Sequence, residues 1–180
     1  MLKGVFSQTT RDHWKLLSTG LPEGGIESLF ATEIECVERM EALLWPEGRD
    51  CPRCRSKKFW LIKERNLYEC ANCSHQFSPW SSTPMAKRKV GLKSCMLGAE
   101  FLIVTMAAGR TEIQTIQKFA KVTGLSYRPA RDLRSSMCEE LSKLFGGFWG
   151  GMVCVNEMDI THYVEDRLDA LRAHYGFDVD

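Results

Sequence analysis

No stretch of this chain is apolar for long enough to cross a bilayer. The most hydrophobic segment, Cys95 to Ala108, is interrupted by Glu100, so it reads as a buried helix, and no membrane partner is expected. The first ten residues hold one lysine and no sustained apolar run, which gives no reason to expect a secretory leader. There is no internal repeat. Net charge is also scarce, only +1 at pH 7, and taken alone it points to no class of partner. A cytoplasmic, nucleoid-associated location is the resulting expectation. That compartment keeps thiols reduced, so the eight cysteines point to metal binding or burial rather than to disulfides.

What is present describes an ordinary globular chain. Its 180 residues are 44% hydrophobic and 26% charged, enough for one modest domain or two very small ones. The near-zero net charge conceals a strong pattern. Residues 1–48 sum to −4, 49–69 to +4, 83–134 to +7 and 135–180 to −6. A basic middle between acidic ends is the electrostatic footprint of a protein that meets a polyanion.

The expected architecture is mainly α with a small β zinc ribbon. It comprises an N-terminal helix, a four-cysteine zinc ribbon, a helix-turn-helix bundle, and a short C-terminal strand and helix. Residues 1–29 are weakly patterned up to Leu21-Pro22-Glu23-Gly24-Gly25 and read as a flexible arm. Residues 30–82 hold a helix and the ribbon. Thr32 is the expected N-cap, with Glu35 completing a capping box. Ile34, Val37, Met40 and Leu44 recur at helical spacing until Trp45-Pro46-Glu47-Gly48 stops the helix. Residues 83–145 read as helical: Gly91–Ala108 ended by Gly109, then Glu112–Lys121, then Tyr127 to about Leu144. In 146–180, Gly146, Gly147, Gly150 and Gly151 bracket a break before a strand-like Met152–Val155 and a helix from about Thr161 to His174.

The strongest motif is Cys51-Pro52-Arg53-Cys54, fifteen residues, then Cys70-Ala71-Asn72-Cys73. Each Cys-x-x-Cys turn offers two thiolates to one metal, and a hairpin between the turns closes a tetrahedral site without an open position. Phe59–Ile62 and Asn66–Glu69 read as its strands, with Lys63–Arg65 as the turn. One structural Zn2+ is expected on Cys51, Cys54, Cys70 and Cys73, with His75 a bystander. Cys36, Cys95, Cys138 and Cys154, scattered among apolar neighbours, read as plain buried thiols. A module this short buries little apolar surface, so ligation, on the order of 10 kcal/mol, is what orders it. It would then display Arg53, Arg55, Lys57, Lys58, Lys63 and Arg65, either for solubility or towards phosphates. The basic neighbour Lys87-Arg88-Lys89 with Lys93 favours phosphates.

A second signal is the pair of helices joined by Val122-Thr123-Gly124-Leu125. Gly124 suits a left-handed helix end, Ala120 permits close approach, and Leu125, Ala130 and Leu133 hold the pair together. Ser126 is the expected N-cap of the second helix, and Pro129 is tolerated in its first turn. Arg128, Arg131 and Arg134 follow at i, i+3, i+6 behind Tyr127. Guanidinium groups at the start of such a helix can reach guanine edges or phosphates. The plainer alternative is a solvated basic face on a helical hairpin.

Taken together, Phe30 to Cys36, Trp45-Pro46-Glu47-Gly48, both cysteine pairs, Tyr68-Glu69-Cys70, Phe77-Ser78 and the Thr83–Leu92 stretch resemble the N-terminal half of the bacterial zinc-ribbon DDE insertion-sequence transposases. The likeness covers roughly Phe30 to Ile160. It implies binding of double-stranded DNA through the ribbon and helix-turn-helix. That family continues into an RNase H-like catalytic domain whose first catalytic Asp sits in a Val-x-Val-Asp-Glu strand. Here the stretch is Val153-Cys154-Val155-Asn156-Glu157, and a neutral amide is a poor replacement for a carboxylate bridging two Mg2+ ions. The family's other two acidic residues lie well downstream of this position, and the chain ends at Asp180.

The expectation is therefore a non-enzyme: a transposase-derived DNA-binding protein serving as a transcriptional regulator. The alternatives are a truncated transposase remnant or repressor that binds element ends, and a zinc-ribbon adaptor that binds protein such as the transcription machinery. Val164, Leu168, Leu171 and Tyr175 form an apolar stripe, so a homodimer or protein contact through 152–175 stands beside internal packing of that stripe.

Overall fold

The computed structural model describes residues 3–62, 65, 67–80, 83–86, 89–109 and 116–158, with the side chains of 3–10 excepted. In chain order the elements are α1 (Lys3–Thr19), α2 (Ile26–Leu29), α3 (Glu33–Leu44), β1 (Phe59–Ile62), β2 (Leu67–Cys70), β3 (Gln76–Phe77), α4 (Leu92–Ala107), α5 (Ile116–Thr123), α6 (Tyr127–Leu141) and α7 (Gly147–Val153), with a 3-10 turn at Leu144–Gly146 before α7. The protein is thus mostly helical, with one small antiparallel sheet. No helix among the described residues is long and apolar enough to cross a membrane. Two compact units result, Phe30–Lys93 and the remainder, Met1–Leu29 with Ser94–Asp180.

In the Phe30–Lys93 unit, α3 starts as its sequence requires. Thr32 is extended (φ −118°, ψ 157°) and its hydroxyl accepts the Glu35 N–H, while the Glu35 carboxylate accepts the Thr32 N–H at 2.7 Å. This reciprocal box satisfies two of the donors a helix start leaves unpaired. Cys36 and Met40, one turn apart, are fully buried. The sheet runs in the order β1-β2-β3, with Phe59 opposite Cys70, Leu61 opposite Tyr68, and Tyr68 opposite Phe77. β2 runs one residue further than the sequence suggested, to Cys70, with Asn66 outside the described residues, and the two-residue β3 was not anticipated. The expected turn at Lys63–Arg65 lies mostly outside the described residues; Arg65 itself is exposed.

In the other unit, α4 buries Cys95, Met96, Ala99, Leu102 and Ile103, the stripe of a helix that faces a core. It stops at Gly109 (φ +68°), as expected. Gly98 is required by close approach: a Cβ there would lie 2.9 Å from the Phe119 ring and from the Thr123 methyl. α5 ends in a Schellman turn, with the Leu125 N–H on the Ala120 carbonyl at 3.0 Å, the Gly124 N–H on Lys121, and Gly124 at φ +67°. Ala130, Leu133, Met137 and Leu141 form the buried face of α6, and the helix ends at Leu141 rather than Leu144. The start expected at Glu112 lies outside the described residues.

Two expectations for this unit are corrected. Within the expected arm 1–29, Lys3–Thr19 is instead helical, and His13, Trp14, Leu16 and Leu17 are buried. The His13 Nε2 lies 2.8 Å from the carbonyl of Leu141 at the end of α6, a carbonyl that a helix leaves without a partner of its own. Met152–Val155 is not a strand either. Met152 and Val153 close α7, and only from Cys154 does the chain extend, with the N–H groups of Val155 and Asn156 both on the Gly20 carbonyl. Glycine is a poor helix former, but here packing decides, because a Cβ on Gly150 would sit 2.0 Å from the Phe145 carbonyl oxygen. The helix expected at Thr161–His174, with its apolar stripe, lies outside the described residues.

Candidate metal centre and nucleic-acid interface

The two cysteine pairs form matching knuckles. In the first, the Arg55 N–H bonds the Cys51 carbonyl at 2.8 Å and the Cys51 N–H bonds the Ser56 carbonyl at 2.9 Å. In the second, Ser74 bonds back to Cys70 at 2.9 Å and Cys70 bonds to His75 at 3.0 Å. Arg55 (φ 60°) and Ser74 (φ 53°) are left-handed at equivalent positions. For a residue with a Cβ this costs roughly 1–2 kcal/mol, and the turn must carry that cost to aim both sulfurs the same way. The β1–β2 ladder then brings the knuckles together, because Phe59 and Cys70 are partners at one end of it.

The Sγ atoms of Cys51 and Cys73 are 3.7 Å apart, those of Cys54 and Cys70 are 3.5 Å apart, and all four lie within 4.8 Å of one another. A tetrahedral zinc with Zn–S bonds of about 2.3 Å separates its sulfurs by about 3.8 Å. The donor set therefore fits one structural zinc. No other group of three or more metal-type side chains occurs among the described residues, and His75 stands outside this one, its ring stacked parallel to Phe77. The thiols are also prepared unequally. Cys54 is pushed down to about 6 by the Ser56 backbone N–H and then the Asn72 side chain, whose Nδ2 lies 3.7 Å from its sulfur. Cys73 is pulled down by the His75 backbone but pushed up further, to about 12, by burial and by the other three sulfurs. Four thiolates this close repel one another, and a divalent cation removes that repulsion.

Behind the metal site lies a cage that the sequence reading missed. Tyr68 and Phe77 are buried, with Trp45 and Phe59 packed against them. The guanidinium of Arg49 sits 3.9 Å from the Tyr68 ring centre and 5.1 Å from those of Trp45 and Phe59. It pairs with Glu41 of α3, and the other oxygen of Glu41 accepts the Tyr68 hydroxyl at 2.7 Å. Burial, and then that bond to Glu41, pushes the Tyr68 phenol up to about 12. The cage thus ties α3 to the zinc ribbon. Within the same Phe30–Lys93 unit, the Glu33 carboxylate accepts the backbone N–H groups of Leu92 and Lys93, at a helix start where an anion is favoured.

The cations expected to meet DNA are placed as follows. Arg53, Lys57 and Lys58 are exposed on the ribbon, as is Arg55, which pairs with Asp50 at 3.2 Å. Lys89 is exposed, and Lys93 is half-buried with its Nζ on the Ala31 carbonyl at 2.8 Å. Lys63, Lys87 and Arg88 lie outside the described residues. At the start of α6, Ser126, Tyr127, Arg128 and Arg131 are exposed, while Arg134 is half-buried. Ser126 has the extended backbone of an N-cap but makes no side-chain cap bond. Arg131 pairs with Asp132 through Nε and Nη2 at 3.1 and 3.0 Å. Among the lone cysteines, Cys36 and Cys95 are buried and Cys138 and Cys154 half-buried.

Residues 31–76 match the family model of the transposase zinc-ribbon domain. That span holds α3, the four cysteines, β1 and β2, so the ribbon is of the transposase type. Comparisons with curated proteins and with solved structures gave no significant match.

Proposed function

We propose that this is a non-catalytic, transposase-derived protein that binds double-stranded DNA through its zinc ribbon and a helix-turn-helix formed by α5 and α6, and that it serves as a transcriptional regulator. The observation that carries the reading is the four-cysteine site inside a segment that matches a transposase zinc-ribbon domain. The exposed Tyr127, Arg128 and Arg131 directly after the Gly124 turn support α6 as the helix that enters the major groove. The non-catalytic part rests on Asn156. Its Nδ2 donates to the Leu21 carbonyl at 2.7 Å, so the side chain at this position acts as a structural donor and offers no carboxylate to a metal.

A mobility-shift titration with duplex DNA tests the reading. Arg128→Ala with Arg131→Ala should weaken binding at least tenfold, as expected when two guanidinium contacts worth about 1–3 kcal/mol each are lost. Unchanged affinity in the double variant would remove α6 from the interface. Occupied sites mapped across a genome should lie upstream of genes; sites confined to terminal inverted repeats would favour an element-end repressor instead.

A further inference from the structure

The ribbon sheet has two faces, and only one is used by its core. The register places Phe59 with Cys70, and Leu61 with Tyr68 and Phe77, on the core face. The other face carries Trp60 in a row with Glu69 and Gln76, and Ile62 opposite Leu67. The Ala71 N–H on the Lys58 carbonyl at 2.9 Å continues the ladder, which puts Lys58 on the same outer face, two residues before Trp60. β1 is an edge strand. Trp14 and Trp149 are buried and Trp45 and Trp80 half-buried, whereas Trp60 is 59% exposed.

We propose that the outer face of the ribbon is a stacking platform for unpaired bases of single-stranded DNA, with Trp60 as the aromatic surface and Lys58 and Arg65 as phosphate contacts. The inference rests on the nucleic-acid reading of the ribbon above and adds a strand class to it. Single exposed apolar residues are ordinary, but this indole shares its face with the half-buried Ile62 and Leu67 and with the exposed Lys58. Arg53, Lys57, Lys58 and Arg65 are all exposed in the same unit. The one carboxylate in the Trp60 row, Glu69, is held by the Gln76 amide at 2.7 Å. One indole and two partly covered aliphatics make a patch far smaller than the roughly 800 Å² per partner that a stable protein interface needs. They match the area of a base. Inside a duplex each base face is already stacked, so an indole fixed on a sheet reaches a base only where the strands are apart. Aromatic side chains beside backbone-binding cations are what holds single strands without reading sequence.

The test uses the zinc-loaded full chain with a fifteen-nucleotide oligothymidylate and, separately, a duplex of about 25 base pairs. Stacking should quench the exposed indole and protect it from acrylamide. Trp60→Ala should bind the oligothymidylate about tenfold more weakly and Trp60→Phe within about threefold of the natural chain. Both variants should retain zinc and bind the duplex within about twofold of the natural chain. Equal oligothymidylate affinity in Trp60→Ala, or binding that leaves the Trp60 emission unchanged, would overturn the platform, with duplex binding untouched. Binding of neither nucleic acid would remove the platform and the proposed function together.

Discussion

Replacing Arg49 by alanine should loosen the zinc. The guanidinium lies against three aromatic rings, with its centre 3.9 Å from that of Tyr68, and cation–π contacts of a partly desolvated arginine contribute roughly 0.5–2 kcal/mol. The side chains of Arg49 and Glu41 are only 20% and 23% exposed, so removing the cation strands a carboxylate whose remaining partner is the Tyr68 hydroxyl. Breaking a fully buried pair from one side costs about 3–5 kcal/mol, and the residual exposure brings this to roughly 1–2. The sum is about 1.5–4 kcal/mol. Because Tyr68, Phe59 and Trp45 pack on the same cysteines that bind the metal, folding of the ribbon and ligation are one equilibrium. The loss should therefore appear as a zinc affinity lower by roughly 10- to 1,000-fold, read by competition with a chromophoric chelator. Arg49→Lys, which keeps charge but not the planar stack, should fall between. Natural zinc affinity in Arg49→Ala would refute the coupling.

Other perturbations reach different parts of the molecule. Cys70→Ser should abolish stoichiometric zinc, measured by metal analysis, while circular dichroism retains most of the helical signal, since α1 and α4 to α7 belong largely to the other compact unit. Asn156→Asp would set a carboxylate oxygen against the Leu21 carbonyl now 2.7 Å from the amide, and an apparent stability lower by about 1–3 kcal/mol is expected in denaturant titration; no change would deny the bond its structural role. Gly150→Ala, whose Cβ would meet the Phe145 carbonyl oxygen at 2.0 Å, should cost at least about 2 kcal/mol and lower the thermal midpoint. Although burial raises it, Glu140 is lowered overall by the Lys143 ammonium and the Phe148 N–H, 3.1 Å away. A carboxylate lowered in the folded state stabilises above its unfolded value near 4.5 and loses that contribution as pH falls through the folded value. Glu140→Gln should accordingly reduce stability by under about 1 kcal/mol at pH 7 and by progressively less towards pH 3 in parallel melts.

The parts legible in sequence were those specified by neighbours along the chain. Thr32 and Glu35 announce the start of α3 within four residues, the Cys-x-x-Cys spacing announces the ribbon, and Gly109 and Gly124 mark helix ends because each adopts a positive φ. What escaped was specified by distant contacts. The apolar positions of α1 are interleaved with Arg11, Asp12 and Lys15, and its helix becomes evident only when Trp14 and Leu17 are seen buried. α7 contradicts the low helix propensity of glycine because only a hydrogen fits at Gly150. The Arg49 cage joins residues 41, 45, 49, 59 and 68, and no local pattern signals it. An alternating Lys58, Trp60, Ile62 was available to read, but its meaning needed the register that separates the two sheet faces.

The proposed grip on duplex DNA combines a zinc-ordered ribbon with a cationic helix. Its most direct test is the affinity of the zinc-loaded chain for duplex DNA measured from about 50 to 200 mM salt. Contacts to several phosphates predict that log K falls linearly with log salt, with a slope of about −0.9 per phosphate neutralised, and that a chelator strong enough to strip the zinc weakens binding. Absence of duplex binding at about 50 mM salt, or an affinity indifferent to both salt and chelation, would contradict it.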